Sequence, residues 1–331
     1  MKVSTMVNID KFVGTSLCWI VSQFYKISSV FRKEKKGEIK KLLFIKPAEL
    51  GTSIILYPTI KKAREMFPDV KIFFLVFKEN AEIIRVLDMV KEENILTLRN
   101  DSLFLFIKDM LSALKRLRKE KIDATIDLEF FARFTSLISY FSGARNRVGF
   151  FKFHLEGLYR GNFMTHKVNY NYNLHTGISF MSLLYALKYS GKEMPLKEHI
   201  SMEELKIPKF ELTKEAKTNI WKKLKSENPL IDGSKKIVIM NPNTSQLIPF
   251  RKWPLEYYIE LAKKLFEDYN DIYVVVTGTK ADMPDGKKIF DEVKNSKCID
   301  FTGKTSLREL IDLYNVSNVI VSVDNQKVKS I

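Results

Sequence analysis

The sequence contains little cysteine and no long apolar run. Its two cysteines, Cys18 and Cys298, lie far apart in the chain. This spacing indicates neither a disulfide framework nor a C-x-x-C site, and it fits a reduced, cytoplasmic setting. No apolar stretch reaches the roughly 18 residues that a membrane-spanning helix requires. We therefore expect a cytoplasmic protein.

Motifs of several common enzyme classes are also missing. There is no G-x-G-x-x-G, so a nicotinamide-dependent enzyme is not supported. The stretch FTGKTSL resembles a phosphate-binding P-loop, but Cys298 stands where that motif requires its first glycine. His154, His166 and His175 lie close in the chain without the spacing of metal ligands. The sequence therefore predicts no metal site and no bound cofactor.

Positive charge is in excess. The 331 residues carry 55 Lys and Arg against 39 Asp and Glu, a formal net charge of +16. Residues 1–50 hold ten of these cations and four of these anions, so +6 of the excess lies there. A basic surface favours anionic partners such as nucleic acid, anionic lipid or phosphorylated sugars, although a solvated surface without a partner explains the charge equally well. No recognition-helix or RNP-like signature is present, so we expect no nucleic acid partner.

The first 40 residues contain an amphipathic pattern. Six apolar residues follow one another at intervals of four and three, namely Val13, Leu17, Ile20, Phe24, Ile27 and Phe31. That spacing predicts one apolar stripe on a helix. Basic residues lie beside the stripe or just after it, namely Lys26, Arg32, Lys33, Lys35 and Lys36. Two interpretations stay open: residues 10–36 contact a membrane surface, or the stripe packs on the protein's own core or on a partner.

From residue 41 onwards, apolar runs alternate with helical patterns. Strands are predicted at 41–46, 71–77, 94–98, 124–128, 147–150, 236–240, 272–278, 298–303 and 318–323. Helices are predicted at 53–67, 79–90, 103–120, 133–144, 176–189, 254–269, 283–295 and 306–316. This alternation predicts βαβ units, mostly parallel sheets and an α/β fold. The predicted parts are a basic amphipathic segment at 1–40, a Rossmann-like domain at 41–190, a linker region at 191–234 and a shorter Rossmann-like domain at 235–331.

The loop KPAELGTS (46–53) follows the first strand, where parallel sheets bind ligands. Gly51 permits close approach of the backbone, and the start of the next helix favours an anion. Glu49 is a candidate base. A purely structural turn is the alternative interpretation.

The loop NPNTSQLIPFRKWP (241–254) follows the first strand of the second half. It offers the hydroxyls of Thr244 and Ser245 and the cations Arg251 and Lys252. Hydroxyls and cations at a strand-to-helix turn suit a diphosphate. The alternative is a loop with a solvated basic pair.

These stretches together resemble a known family. Their order and spacing are similar to those of glycosyltransferase family 9, the family of ADP-heptose:lipopolysaccharide heptosyltransferases. The stretches that carry the resemblance are LLFIKPAELGTSIILYPTIKKAREMF, IDATIDLEFFARFTSLISYFSGARNRVGF, RKWPLEYYIELAKKLF, VVVTGTKAD and FTGKTSLRELIDLYNVSNVIVSVDN. The resemblance covers roughly residues 41–325. It implies a GT-B fold, with two Rossmann-like halves that face a cleft, the second here incomplete at about four strands.

The resemblance also implies a reaction. In it, a heptose-like sugar passes from a nucleotide sugar, expected to be ADP-linked, to a lipopolysaccharide or other cell-envelope glycan. The transfer inverts the anomeric centre without a metal, and the acceptor is an anionic glycolipid at the inner face of the inner membrane. A carboxylate removes the acceptor proton, and cations stabilise the leaving diphosphate.

Site residues follow from the same resemblance. It implies donor-binding roles for Thr244, Ser245, Arg251, Lys252, Thr277, Gly278, Lys304, Thr305 and Asp324. Arg251 matches the phosphate-facing cation of the family's K/R-x-W-P, and Asp324 matches the Asp of its late D-x-G-x-x-H. We expect acceptor contacts from Gly51, Thr52, Arg160 and His166.

The sequence departs from the family at two places. Thr52 occupies the position of the family's proposed catalytic Asp, and a threonine cannot act as that base, so Glu49 or Glu129 is expected to replace it. After Asp324 and Asn325 the family continues with Gly, His and about 60 more residues, where this chain has QKVKSI. A truncated, non-catalytic remnant that at most binds membrane or acceptor is therefore the alternative hypothesis.

Overall fold

Strands and helices alternate along the chain as predicted. The fold is seen in a computed structural model, which describes residues 3–30, 37–151, 159–189, 193–194, 199–207, 209–244 and 252–323. The chain divides into two units, Met1–Ile207 and Pro208–Ile331. Each unit contains one parallel sheet, which confirms the predicted α/β class.

The first unit contains seven described strands, in the order β3-β2-β1-β4-β5-β6-β7. They are β1 (Lys41–Ile45), β2 (Lys71–Phe77), β3 (Ile95–Leu98), β4 (Ala124–Asp127), β5 (Asn146–Phe150), β6 (His166–Val168) and β7 (Glu193–Met194). β1 pairs in parallel with β2 on one side and β4 on the other. The carboxyl ends of β1 and β4 therefore lie side by side, although about 80 residues separate them in the chain.

Helices connect these strands. They are α1 (Val3–Ile9), α2 (Thr15–Val30), α3 (Leu50–Ile55), α4 (Tyr57–Met66), α5 (Ala81–Val86), α6 (Leu103–Glu120), α7 (Arg133–Phe141) and α8 (Thr176–Tyr185). A π-helical segment, Asp10–Gly14, joins α1 to α2. The single helix predicted at 53–67 is two helices, and Pro58 lies in the first turn of α4, where a missing backbone N–H costs nothing.

The strands of the first unit are nearly continuous apolar runs because helices cover both faces of a parallel sheet. Every residue of β2 after Lys71 is buried. Leu43, Phe73 and Leu75 form a core with Leu117 of α6. β6 and β7 were not predicted, since they are only three and two residues long and lie in stretches without periodicity.

The second unit contains four described strands, in the order β10-β9-β8-β11. They are β8 (Lys236–Asn241), β9 (Ile272–Val276), β10 (Cys298–Asp300) and β11 (Val319–Ser322). Its helices are α9 (Lys214–Glu227), α10 (Leu255–Asp268), α11 (Met283–Val293) and α12 (Leu307–Val316). β11 pairs in parallel with β8, so the fourth strand of this unit lies beside the first.

Helix α9 lies inside the stretch predicted as a linker region. Its sequence, KEAKTNIWKKLKSE, is mostly polar. Only Ile220 and Leu224 are buried, and they pack into the core beneath β8 and β9. Two apolar residues one turn apart are a weak periodic signal. Among the surrounding lysines they were too few to predict a helix.

The predicted amphipathic helix of the N-terminal segment is present, but its apolar stripe faces outwards. Val13, Leu17, Ile20, Phe24 and Ile27 are all exposed, while Phe31 lies outside the described residues. The opposite face packs on the first unit through Gly14, Cys18, Val21 and Ser22. The interpretation that the stripe packs on the protein's own core is therefore wrong. Among the described residues, no helix combines the length and apolarity needed to cross a bilayer.

Candidate functional site

A buried ion pair lies at the carboxyl ends of β1 and β4. Lys46 follows β1, and its side chain is fully buried. Its Nζ lies 3.0 Å from Oε1 of Glu129 and donates to the carbonyl oxygen of Ala48 at 2.9 Å. The backbone N–H of Ala48 donates to the same Glu129 oxygen at 3.1 Å. The parallel pairing of β1 with β4 makes this contact between residues 83 positions apart.

Glu49 is the exposed member of this cluster. Its Oε2 lies 3.5 Å from Lys46 Nζ, and 51 % of its side chain is accessible. The backbone of Glu49 is in the left-handed region, with φ of 65° and ψ of 89°. A non-glycine residue in that region costs about 1–3 kcal/mol and is typical of functional sites. The Thr52 hydroxyl donates to the Glu49 carbonyl at 2.9 Å and lies 3.3 Å from its Oε2, so Thr52 orients the loop.

A second buried ion pair adjoins the first. Asp127 ends β4 and is fully buried, and its Oδ2 accepts from the guanidinium of Arg160 and from the hydroxyls of Thr135 and Ser136. The backbone N–H of Glu129 donates to the other oxygen, Oδ1, at 3.2 Å. Burial raises the pKa of the Asp127 carboxyl to about 6, and the charge of Arg160 opposes that rise. This pair therefore holds the loop that carries Glu129.

The predicted acceptor-side residues fall into two groups. Gly51 and Thr52 are buried in the first turn of α3, next to Glu49. Arg160 is buried, and besides Asp127 it donates to the carbonyl of Ala132 at 2.9 Å. His166 lies on β6, half-buried, with Nδ1 2.9 Å from the Thr165 hydroxyl. The structure thus gathers Glu49, Thr52 and Glu129 around Lys46 and joins Arg160 to them through Asp127.

An aromatic cluster includes Tyr170, whose hydroxyl is influenced by the charge of Glu49. Phe130, Phe150 and Tyr170 form a cluster, with ring centroids 4.7 Å apart between Phe130 and Tyr170 and 5.0 Å apart between Phe130 and Phe150. Burial raises the pKa of the Tyr170 hydroxyl, and the charge of Glu49 raises it further. Such rings offer apolar faces against which a sugar ring packs.

Sequence reasoning missed Lys46, Asp127 and Tyr170. The first two carried a signal, because a charged residue directly after a buried apolar run marks the carboxyl end of a strand. The apolar run of β1 is followed by Lys46, and Asp127 ends the run of β4. Tyr170 carried no such signal, since it lies in a stretch whose apolar residues follow neither a helix period nor a strand period.

In the second unit, unpartnered polar groups collect at the carboxyl ends of neighbouring strands. Thr277 follows β9 and is fully buried, and Asn243 follows β8 with 8 % exposure. Within the described part of the chain, Thr277 Oγ1, Asn243 Nδ2 and Ser322 Oγ are buried without a hydrogen-bond partner. Buried polar atoms in native proteins usually have a partner, and these three lie at the edge where parallel sheets bind ligands.

Gly278 adjoins these groups. A Cβ atom at this position would lie 3.3 Å from Asn243 Nδ2 and 2.9 Å from the Asp282 Cβ, so a side chain would crowd the turn. The N–H of Gly303, whose φ is +69°, donates to the Gly278 carbonyl at 2.9 Å. This bond joins the turn after β9 to the turn after β10. The predicted donor residues Thr277 and Gly278 therefore lie beside the turn formed by Gly303, Lys304 and Thr305.

Two of the predicted cations of the second unit, Lys252 and Lys304, have protein partners. Lys252 forms an ion pair with Asp285 of α11. Lys304 lies 2.7 Å from Glu227 of α9 and donates to the Asp300 carbonyl at 2.7 Å. Thr244 and Thr305 are half-buried. Ser245, Arg251 and Asp324 lie outside the described residues.

No group of three or more His, Cys, Asp or Glu side chains that would hold a metal ion occurs in the described ranges. Cys18 and Cys298 are free and buried, and burial raises the pKa of each thiol to about 12. A thiol with so high a pKa stays protonated near neutral pH and is a poor nucleophile.

Several solved structures similar to this chain are glycosyltransferases. The chain matches the E. coli ADP-heptose lps heptosyltransferase II with a TM-score of 0.68 and 17 % identity, over 88 % of this chain and 81 % of that one. The family 9 glycosyl transferase from Veillonella parvula DSM 2008 matches with a TM-score of 0.66 and 16 % identity, over 88 % and 77 % of the two chains. E. coli heptosyltransferase WaaC with ADP-2-deoxy-2-fluoro heptose matches with a TM-score of 0.59 and 15 % identity, over 86 % and 83 %. At these identities the likeness establishes the fold, which confirms the predicted GT-B class.

The sequence itself was also compared with known families. No curated protein sequence matches this chain. The model of glycosyltransferase family 9 (heptosyltransferase) matches residues 110–325, which is more than half of the chain. That stretch holds Asp127, Glu129 and the sheet of the second unit, and we conclude that this chain belongs to glycosyltransferase family 9 and is a sugar-transferring enzyme.

Proposed function

We propose that the protein transfers a heptose-like sugar from an ADP-linked nucleotide sugar to lipopolysaccharide or another cell-envelope glycan. The reaction inverts the anomeric centre and uses no metal. The cluster of Lys46, Glu49 and Glu129 carries the proposal, because it sets a partly exposed carboxylate in a strained loop beside a buried cation. Membership of family 9 supports the transfer of a sugar.

Glu49 is the proposed general base. Its carboxylate is half-exposed and reaches solvent, whereas Oε1 of Glu129 already accepts from Lys46 and from the Ala48 backbone. Glu49 takes the proton of the acceptor hydroxyl as that oxygen attacks the anomeric carbon of the donor. The bond from that carbon to the nucleoside diphosphate breaks in the same displacement, so the configuration inverts.

Thr52 supports this assignment although it replaces the family's Asp. Its hydroxyl is bonded to the carbonyl of Glu49 and lies within reach of the Glu49 carboxylate. By the resemblance of this loop, a residue that would orient the base stands at the position of the family's proposed base. Lys46 and Glu129 position Glu49, and the aromatic rings around Tyr170 are proposed to pack against the acceptor sugar.

The second unit is proposed to bind the nucleotide sugar. The unpartnered atoms of Thr277 and Asn243 would hydrogen bond to the donor. The loop after β8 carries Arg251 in the sequence, and a cation there would stabilise a leaving diphosphate without a metal. Lys252 and Lys304 would contribute by exchanging their partners Asp285 and Glu227 for the diphosphate. Ser245, Thr305 and Asp324 keep their predicted donor roles.

Calorimetric titration with ADP and with UDP tests the donor site. We expect the full chain to bind ADP more tightly than UDP. The Thr277→Val variant keeps the shape of the side chain but loses its hydroxyl, and we expect about tenfold weaker ADP binding, as a lost ligand hydrogen bond costs about 1–1.5 kcal/mol. Thr59→Val is the matched control, because Thr59 is also fully buried with an unpartnered hydroxyl but lies on α4 of the first unit.

The outcomes separate the hypotheses. Absence of nucleotide binding by a chain with an unchanged circular dichroism spectrum would overturn the donor site. Equal weakening by Thr59→Val and Thr277→Val would mean that the effect is one of stability. ADP binding without transfer of sugar to a lipopolysaccharide core acceptor would favour the non-catalytic alternative.

A further inference from the structure

The N-terminal helical segment presents an apolar face to solvent. Eight of its large apolar side chains are 43–69 % exposed, namely Val7, Phe12, Val13, Leu17, Trp19, Ile20, Phe24 and Ile27. The only charged residues between 3 and 30 are Asp10, Lys11 and Lys26. Single exposed apolar residues are normal, but a set that follows one helix marks an interaction surface.

This segment is fixed to the first unit by its other face. Asp10 Oδ1 accepts from the backbone N–H groups of Arg133 and Phe134 at 3.0 and 2.9 Å, which caps the start of α7. Ser22 Oγ accepts from the Asn162 N–H at 2.8 Å and lies 3.0 Å from the Tyr159 hydroxyl. The exposed face is therefore held in one orientation, and packing of the helix does not cover it.

The charge around the face indicates its partner. Lys11 and Lys26 are exposed on the same helical segment, and Arg32, Lys33, Lys35 and Lys36 follow it directly in the sequence. A protein groove that takes an apolar helix needs no such cations, whereas an anionic bilayer surface attracts them. Trp19, which is 59 % exposed, is of the type that lies at the boundary between lipid headgroups and acyl chains.

We infer that the exposed face of residues 7–27 docks on an anionic lipid bilayer, with the helix lying along the surface. The segment from Phe12 to Ile27 is roughly 22 Å long at 1.5 Å per residue, enough to place five or six apolar side chains into the interface. Lys11 and Lys26, both exposed on this segment, are then available to the anionic headgroups.

Docking would bring the acceptor-side site to the membrane. The helix that docks also caps α7 through Asp10, and Thr135 and Ser136 of α7 bond to Asp127 in the site. A glycolipid acceptor is held in the same bilayer, so its sugar would be presented to this unit at the surface. This last step rests on the proposed function, but the docking itself does not.

Vesicle flotation tests the inference. The full chain is mixed with vesicles of phosphatidylcholine alone or of equal parts phosphatidylcholine and phosphatidylglycerol, without glycolipid or nucleotide. We expect at least tenfold tighter binding to the anionic vesicles, weakened by salt, since each basic residue near the surface contributes roughly a fivefold gain.

Two double variants show which surface binds. Phe24→Gln with Ile27→Gln should lower binding at least tenfold, because both side chains are strongly exposed on the docking face. Met202→Gln with Leu230→Gln is the control, since these side chains are 62 and 64 % exposed but belong to no apolar stripe of a helix. We expect the control to bind like the unchanged chain, and an equal loss in both would overturn the inference.

Trp19 fluorescence gives a second measurement. On anionic vesicles its emission should shift to shorter wavelength, and the Trp19→Phe variant should lose that shift while the other two tryptophans remain. A chain that ignores both kinds of vesicle but self-associates, and becomes monomeric when Phe24 and Ile27 are replaced, would refute lipid docking and assign the face to a second copy. ADP titration is unaffected by either result, so failure here is distinct from failure of the donor site.

Discussion

Replacing Lys46 with methionine removes the buried cation at the centre of the first unit's charged cluster. The side chain is 0 % exposed, and its Nζ contacts Glu129 at 3.0 Å, Glu49 at 3.5 Å and the Ala48 carbonyl at 2.9 Å. Methionine fills a similar volume but leaves the Glu129 carboxylate, itself 11 % exposed, without its counter-charge. Breaking one side of a buried pair costs about 3–5 kcal/mol.

The matched variant Glu129→Gln should cost less. Lys46 then keeps the carbonyl of Ala48 and the nearby carboxylate of Glu49, so about 1–3 kcal/mol is expected. The double variant Lys46→Met with Glu129→Gln removes both charges and should be more stable than Lys46→Met alone, because no uncompensated charge remains.

Urea unfolding measures these differences. A loss of about 4 kcal/mol lowers the midpoint by roughly 2 M when the slope is about 2 kcal/mol per molar urea. Circular dichroism follows both units. In a Trp19→Phe background, tryptophan fluorescence comes from Trp221 and Trp253 and follows the second unit by itself, where no change is expected. A midpoint for Lys46→Met within 0.3 M of the unchanged chain, about 0.6 kcal/mol at that slope, or a double variant less stable than Lys46→Met, would refute the reasoning.

Three further predictions concern the same unit. Glu49→Gln should lower kcat by about 10²–10⁴ with little change in ADP affinity, whereas Glu49→Asp should keep part of the activity; an unchanged kcat in a steady-state transfer assay would remove Glu49 as the base. Burial raises the pKa of Asp127 to about 6 in the folded state, so the folded chain binds this proton more tightly than the unfolded chain does. Protonation of Asp127 therefore stabilises the fold in full below pH 3.8, and this stabilisation is lost as the pH rises through about 6. Urea titrations of the unchanged chain and of Asp127→Asn give the difference between their free energies of unfolding. This difference should fall by up to roughly 3 kcal/mol between pH 3.8 and 6. A difference that does not change with pH would contradict the raised pKa. Asp10→Ala removes the cap of α7 and should cost about 1–2 kcal/mol in the same assay, while Asp10→Asn should recover part of that loss; equal stability of all three chains would show that the cap is not needed.

The order of strands and helices could be predicted from local sequence patterns. Strand β2 was predicted at 71–77 and is observed at Lys71–Phe77, and α6 was predicted at 103–120 and is observed at Leu103–Glu120. These elements have strong, regular apolar periods, which depend only on neighbouring residues. Helix α9 and strands β6 and β7 escaped prediction because their own segments carry little periodicity and the rest of the fold stabilises them.

Only part of the candidate site could be predicted from the sequence. Glu49, Glu129 and Thr277 were predicted as site residues because residues at strand ends line the ligand-binding edge of a parallel sheet. The sequence did not reveal Lys46 as their shared partner or Asn243 as an unpartnered amide. Those relations depend on which strands pair and where side chains are left without partners, which local patterns do not contain.

The sequence by itself determined the alternation of strands and helices, the parallel sheets and the family, since these rest on periodicity and on motif order along the chain. Only the tertiary structure decided which charges meet and which surfaces stay open. The pairing of β1 with β4 brings Lys46 to Glu129 across 83 positions, and packing of Cys18 and Ser22 against the first unit turns Phe24 and Ile27 outwards. An amphipathic stripe predicts a helix with one apolar face, but the contacts of the folded chain determine whether that face lies in the core or at the surface.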